Sequence, residues 1–522
     1  MALTKNISEI ISEDTSGLLG IHPNWERVRL GDVASVLNGF PFESAFFSTD
    51  SGFPLIRIRD VSEGKTRTFY RGEFDEQFLV QRGELLIGMD GEFNTARWRS
   101  EPALLNQRVC KLTPDERWYH PSLLEFALPG YLSAINAATS SITVKHLSSR
   151  SIEDIELPLP PRNEQDRIVE KLEELLSDLD AGVAELKAAQ RKLAQYRQSL
   201  LKAAVEGALT ADWRAARARS GEPQETGADL LQRILTERRT CWEAKQLAKY
   251  AEQGKTPPKG WQAKYPEPVT PGIADLPTLP EGWVWASLDA LVAESSYGTS
   301  VKCSYESAQT PVLRIPNVSG GKIDLSDMKR SIQALPLDDQ DYLTVGDILI
   351  IRTNGSIGLV GRAAAVTSEL PIPHYFASYL LRLRCVDRVF LHHWVSSVLA
   401  APLGRRWLEA RAASSAGQHN ISLSTLLTMP VPLPPAAEQT FALDVLADSM
   451  ERCDEQEQAT NWSLSQTAAQ RKNILKAAFA GQLVPQDPHD EPASALLERI
   501  RTERTKQTGT AKPRGRKPRT TA

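Results

Sequence analysis

Apolar positions along this chain fall into two regimes that alternate twice. From Trp25 onward they come as short runs bounded by Gly, Pro and Asp, such as Phe53-Pro54-Leu55-Ile56-Arg57-Ile58 and Gly83-Glu84-Leu85-Leu86-Ile87-Gly88-Met89-Asp90-Gly91. Runs of that length and punctuation predict the strands of a mixed α/β domain. From Glu164 to about Glu206 the spacing changes. Ile168, Leu172, Leu175, Leu179, Val183, Leu186, Leu193 and Leu200 mostly follow one another at three or four residues. This predicts one amphipathic helix whose single apolar stripe needs a partner. At 1.5 Å per residue it reaches about 60–65 Å.

The same order then repeats. Gly282-Trp283-Val284-Trp285 echoes the opening at Trp25, Pro311-Val312-Leu313-Arg314-Ile315 answers Pro54-Leu55-Ile56-Arg57-Ile58, and Gly346-Asp347-Ile348-Leu349-Ile350 answers Gly83-Glu84-Leu85-Leu86-Ile87. A second helix carries the stripe at Leu443, Leu446, Met450, Cys453, Glu457, Thr460, Leu464, Thr467, Arg471 and Ile474. Each helix follows a proline cluster, Leu157-Pro158-Leu159-Pro160-Pro161 or Val431-Pro432-Leu433-Pro434-Pro435, which forbids helix until an acidic first turn begins it. An offset of 274 residues separates both Glu164 from Glu438 and Gly207 from Gly481, so start and stop signals recur in register. The chain is a tandem duplication.

A helix this long needs support along its length. The economical partner is its twin, as an antiparallel coiled coil through Leu172, Leu175, Leu179, Leu186 and Leu193 on one helix and Leu446, Met450, Leu464 and Ile474 on the other. Polar seam residues such as Glu457 and Arg471 cost stability and fix register. The expected fold class is therefore α/β (α+β): two globular domains separated by two long helices, with an internal pseudo-twofold repeat. The predicted boundaries are an arm at 1–24 (helical around Ser8 to Leu18), domain one at 25–161, helix one at 162–208, a helix plus Pro/Gly-rich linker at 209–281, domain two at 282–435, helix two at 436–483, a terminal helix at 484–504 and a basic tail at 505–522. The linker helix, Ala228 to Arg238, recurs 266 residues on as Ser494 to Arg504. The framework echo is strong at the strands and weak between them, so one scaffold carries two different surfaces.

Composition narrows the class. An apolar content of 41% with 24% charged residues is that of an ordinary globular protein. No apolar run reaches the roughly eighteen residues of a membrane span, and Met1 to Asn6 lacks a signal-peptide core. The five cysteines, Cys110, Cys241, Cys303, Cys385 and Cys453, form no CxxC pair. The expectation is a reduced, cytoplasmic protein. The net charge of −4 does not announce a nucleic-acid binder, but Thr505 to Ala522 holds six basic residues and no acid. That tail is either a solvated end or a non-specific phosphate contact.

The repeated Gly-[Asp/Glu]-[Ile/Leu]-Leu-Ile strand, Asn106-Gln107-Arg108-Val109 and the Pro-Leu-Pro-Pro-x-x-Glu-Gln helix start, twice over and in this order, resemble the specificity subunits of type I restriction-modification systems. The resemblance runs from about residue 25 to 484. It implies two target-recognition domains, each taking one half of a split double-stranded DNA sequence. The helix pair between them would act as a ruler and dock two adenine methyltransferase subunits, and motor-nuclease subunits would complete the complex. S-adenosylmethionine, ATP and Mg²⁺ would belong to those partners, with no cofactor and no metal in this chain. The second domain departs from the pattern, with Pro373-His374-Tyr375-Phe376-Ala377-Ser378 in place of Asn-Gln-Arg-Val.

Base readout uses Arg, Lys, Asn, Gln or His projected from loops. The candidates are Arg57, Arg59, Asn106, Gln107, Arg108, Lys145 and His146 in the first domain, and Arg314, Asn317, Arg352, Asn354, His374, Gln418, His419 and Asn420 in the second. Against them, Arg57 and Arg314 occupy equivalent positions of domains that should read different sequences, which favours framework or phosphate contact. Asn106-Gln107-Arg108 is open to the same structural reading, and His146 and Asn420 align across the duplication. The P-loop signature and the adenine-methyltransferase Asn-Pro-Pro-aromatic are absent from the sequence. Gly355 to Gly361 lacks dinucleotide-loop spacing and predicts a tight turn. His392 and His393, adjacent on a helix, should diverge. Asp32, Asp60 and Asp90 are separate turn acids with no basic partner at nuclease-like spacing. The readings left are a non-catalytic DNA-recognition subunit, a coiled-coil scaffold without DNA binding, and a self-contained enzyme whose signatures are missing.

Overall fold

A computed structural model describes residues 5–139, 145–220, 225–274, 276–415 and 417–510, so Lys512, Arg514, Arg516, Lys517 and Arg519 of the basic tail lie outside the described residues. The chain divides into two units, residues 1–187 with 461–522 and residues 188–460.

In the first unit a four-stranded antiparallel sheet runs in the order Ala34–Asn38, Val109–Pro114, Leu85–Gly88, Thr95–Arg97. Leu85 and Ile87 join the core formed with helix Pro121–Ala138, while Leu86 joins a second core with Ile56, Val80 and Leu105. Alternate residues point to opposite faces, and here both faces are covered. That is why the strand reads as an unbroken apolar run. The second sheet includes the parallel pair Phe53–Ile56 and Ala103–Leu105, with Leu55 opposite Leu104.

The second unit repeats this plan. Its central sheet runs Val292–Tyr297, Leu380–Cys385, Asp347–Ile351, Ala363–Ala365. Ile348 and Ile350 face one core, Leu349 and Ile351 the other. Pro311–Leu313 and Tyr375–Phe376 supply the parallel pair. A further small sheet joins Thr353–Asn354, Gln418–Asn420 and Ala413–Ser415. Gly83 (φ 93°) and Gly346 (φ 89°) make the left-handed turn before the central strand in each unit. The following acid then holds a cation on the neighbouring strand, Glu84 with Lys111 at 2.9 Å and Asp347 with Arg384 at 2.7 Å.

The proline clusters lie on two-stranded antiparallel pairs, where a missing N–H costs little because each such strand has a single neighbour. Val28 pairs with Leu157 and Val284 with Leu433. This brings each opening tryptophan to the start of a long helix. Trp25 donates its indole N–H to Glu164 at 3.0 Å, and Trp283 donates to Glu438 at 2.9 Å. Both carboxylates are 1% exposed. Gln486 also donates to Glu164, whereas Thr210 (2.5 Å) and Arg214 donate to Glu438. Gln165 receives the His120 N–H at 2.8 Å and donates to the Trp118 and Pro160 carbonyls. The repeated Glu-Gln is a latch between helix start and domain.

The two long helices, Arg162–Val205 and Ala436–Phe479, have 44 residues each. They pack together as an antiparallel pair. Asp180 meets Arg471 at 2.6 Å in the first unit, and in the second Arg197 meets both Asp454 and Glu457 at 2.6 Å, so numbers rise on one helix as they fall on the other. In the first unit Leu172, Leu176 and Leu179 share a core with Ile474 and Phe479. In the second, Leu193, Leu200, Leu446, Met450 and Cys453 form their own cluster. Leu175, Leu186 and Leu464 are half-buried.

The shorter elements differ from expectation. Helix Ile7–Ser12 stops before Leu18 because the Asp14 carboxylate takes the N–H groups of Ser16, Gly17 and Leu19, and Gly17 turns left-handed. The linker helix runs as Gly227–Glu252, well past Arg238, and Trp261 and Tyr265 of the Pro/Gly-rich stretch pack against its Trp242. Its Leu230 and Ile234 complete the core of the second unit; the recurring Leu496 and Ile500 of Ala493–Thr510 complete that of the first.

Candidate nucleic-acid interface

Where the central strand Leu85–Gly88 leaves its sheet, three segments meet. Met89 donates its N–H to the Arg108 carbonyl at 2.8 Å, Leu147 to the Met89 carbonyl at 2.7 Å, and Gly91 to the Lys145 carbonyl at 3.1 Å. The corner gathers Asp90, Arg108 and His146. Arg108 Nε lies 3.5 Å from Asp90 Oδ2, and His146 Nδ1 lies 2.6 Å from Asp90 Oδ1 and 3.2 Å from Arg108 Nη1. One ring nitrogen cannot both donate and accept. The shorter contact to a carboxylate takes the proton, so His146 donates to Asp90. The sequence offers Asp90 no basic partner at nuclease-like spacing; its partners here come from residues distant in sequence.

The motif Asn106-Gln107-Arg108 separates into two roles. Asn106 is buried, and its Oδ1 accepts the Gln107 N–H at 2.9 Å. Gln107 and Arg108 are exposed. Lys145 is engaged with helix Pro121–Ala138 through the Asn136 carbonyl (2.6 Å) and Oδ1 (2.9 Å).

The second unit builds the same corner from different residues. Arg352 donates its N–H to the Tyr379 carbonyl at 2.9 Å, and Ile421 to the Arg352 carbonyl at 2.8 Å. Thr353 pairs with Asn420 as Asp90 pairs with His146. Arg352, Tyr379 and Asn420 thus correspond to Met89, Arg108 and His146. The Arg352 guanidinium lies over the Tyr297 ring at 4.8 Å, and its Nε reaches Asn420 Oδ1 at 3.3 Å. Gln418 is exposed beside it, His419 is half-buried with Nδ1 unpartnered, and Asn354 Oδ1 accepts the Ser356 N–H. Gly355 to Gly361 is a turn, closed by Leu359 and Val360 donating to the Ser356 and Ile357 carbonyls.

The remaining candidates lie elsewhere. Arg57 and Arg59 are exposed on the turn whose Asp60 accepts the Arg57 N–H at 2.8 Å. The equivalent Asn317 is 1% exposed, accepts the Arg314 N–H and donates to the Asp324 and Asp327 carbonyls. Arg314 pairs with Asp327 at 3.1 Å. His374 is buried with Nδ1 at 2.6 Å from the Ile372 carbonyl, and burial lowers its pKa. Residues not singled out beforehand are Asp90 as an organiser and Tyr297 and Tyr379, 44% and 46% exposed, as aromatic surface. Large exposed aromatics inside a predicted strand end were the available signal. His392 and His393 do not diverge. Their ring centroids sit 3.8 Å apart with the planes tilted by 39°, and burial lowers both pKa values, which favours the neutral forms that such an approach needs. Among the described residues no His/Cys/Asp/Glu group could hold a metal, and no helix is long and apolar enough to cross a membrane.

Two like α/β units on a shared antiparallel helix pair, with a common framework and unlike corners, define a paired-recognition architecture. Residues 23–188 match the family described as the type I restriction modification DNA specificity domain. The chain is 32% identical over 530 residues to the type I restriction enzyme EcoBI specificity subunit of Escherichia coli, with 98% of each chain covered. It is 25% identical over 508 residues to the EcoKI specificity subunit of Escherichia coli K12, covering 93% of this chain and 96% of that one. A solved structure described as "Structural basis underlying complex assembly and conformational transition of the type I R-M system" shares the fold, with a TM-score of 0.54 at 16% identity over 88% of this chain and 99% of the other. The chain belongs to the family of type I restriction enzyme specificity subunits.

Proposed function

We propose that each unit recognises one half of a bipartite double-stranded DNA target and that the chain itself catalyses nothing. The observation that carries this is the corner described above, built on one backbone plan in both units and furnished with Asp90, Arg108 and His146 in one and Arg352, Tyr379 and Asn420 in the other. Readers of two different sequences need a shared scaffold with unlike side chains at the base edges. The helix pair sets the gap between half-sites, because a stiff spacer fixes a separation that a flexible linker would not. It also docks two adenine methyltransferase subunits, and motor-nuclease subunits complete the assembly in the cytoplasm. S-adenosylmethionine, ATP and Mg²⁺ act on those partners.

Fluorescence anisotropy with labelled duplex DNA, with and without the methyltransferase partner, tests this reading. The isolated chain should bind weakly and gain affinity with the partner. For about five phosphate contacts, affinity should fall on the order of several hundred-fold between 50 and 200 mM salt. A salt-insensitive signal, or none in the assembled complex, would favour a scaffold without a DNA role.

A further inference from the structure

Among the described residues only two non-glycine residues hold a positive φ, Phe93 at 52° and Arg108 at 75°. Both belong to the corner of the first unit. Strained backbone of this kind persists where surrounding structure enforces it, and it marks functional sites. The enforcement is visible. Phe93 is 2% exposed in the core, the Arg108 carbonyl is held by Met89, and Val109 enters the central sheet directly behind it. The side chain so placed remains 54% exposed although Asp90 holds it. Asp90 holds it at Nε, and because the His146 Nδ1 proton goes to Asp90 that nitrogen offers Nη1 no lone pair, so neither Nη1 nor Nη2 has an acceptor among the described residues. A guanidinium tethered at Nε, with its Nη1/Nη2 end free, is a pre-organised fork.

We propose that Arg108 is a specificity-determining residue of the first unit and that it reads a guanine in the major groove, through O6 and N7. This rests on the reading of the chain as a DNA-recognition subunit. Guanine is the base whose major-groove edge presents two acceptors to such a fork. Asp90 is the positioning residue. With His146 donating to Oδ1, Oδ2 is left to orient Arg108. The corresponding residue of the second unit is Tyr379, which has no such fork, so the two half-sites are read by different chemistry at the same corner.

The test is the methylome of a host lacking other adenine methylation, carrying the methyltransferase partner with wild-type chain, Arg108→Gly or Arg108→Lys. Glycine is the appropriate deletion because φ 75° suits it and would strain alanine. The wild type should specify guanine at one position of one half-site. Arg108→Gly should make that position degenerate, losing on the order of 10- to 100-fold discrimination, while the other half-site stays intact and reports a folded subunit. Arg108→Lys keeps the charge but not the fork, so it should not restore guanine. Three results would overturn the assignment: a motif unchanged in Arg108→Gly, uniform loss of methylation that Arg108→Lys restores, or uniform loss in both variants. The second would mark a phosphate contact and the third a structural role. A wild-type methylome without any bipartite motif would instead refute the recognition reading itself.

Discussion

Glu438 is the acceptor on which the start of the second long helix converges, and its removal gives a prediction with a calculable size. Glu438→Ala leaves the Trp283 indole N–H, itself buried, without an acceptor. A stranded buried donor costs about 1–3 kcal/mol. Arg214 also loses its carboxylate, but its side chain is 24% exposed and keeps the Gly207 carbonyl at 2.9 Å. Water replaces much of that pair, which leaves about 1 kcal/mol for it. Thr210, whose one hydroxyl proton goes to Glu438, can turn it instead to the Gly207 carbonyl 3.3 Å away. The total is about 2–4 kcal/mol. Glu438→Gln keeps one acceptor for Trp283 and loses the charge-assisted part, about 1–2 kcal/mol. Urea denaturation of the full chain measures the loss. Hydrogen exchange at residues 283–288 and the first turns of Ala436–Phe479 localises it. An alanine variant within about 0.5 kcal/mol of wild type, or a glutamine variant as damaged as alanine, would show that the latch contributes no stability.

Three further outcomes follow from the same geometry. Burial raises the Glu164 pKa, against the hydrogen bonds from Trp25 and Gln486 that lower it, so its contribution is fully present below the ordinary glutamate pKa and is lost as pH rises through the raised value. Glu164→Gln, neutral at every pH, should match wild type in acid and become relatively more stable toward pH 7; denaturation midpoints across that range check the sign, and a gap that widens in acid instead would contradict it. Arg197→Ala removes both interhelical ion pairs to Asp454 and Glu457 and should cost about 1 kcal/mol, shrinking in high salt, as thermal melts at two ionic strengths would show. Seven residues added to each long helix, within 183–190 and opposite within 461–468, keep the apolar stripe nearly in phase and add about 10 Å. At about 3.4 Å per base pair the methylated motif should gain about three base pairs of gap with both half-sites unchanged.

The long helices and the framework strands were legible because their periodicities differ and each occurs twice. The buried run Ile348 to Ile351 reads as apolar throughout because both of its faces meet a core. What periodicity could not supply were the partners of polar residues. Arg471 looked like a cost in the seam until the antiparallel register placed Asp180 against it. The linker's Pro and Gly content predicted a structureless stretch, yet Trp261 and Tyr265 find apolar surface on the preceding helix. At the candidate site, Arg108 and His146 were visible as residue types suited to DNA. Asp90 gained its role only from tertiary structure, which joins segments lying 18 and 56 residues away. Burial then separates Asn106 and Asn317, spent on backbone groups, from exposed Gln107 and Gln418.

The central claim is that two units of one chain read two halves of one target. Its most direct measurement is single-molecule sequencing of adenine methylation in a host expressing the methyltransferase partner, with and without this chain. The expected result is one new motif of two short specified halves separated by a fixed unspecified gap. A single contiguous motif, or no new methylation despite an expressed and active partner, would contradict it.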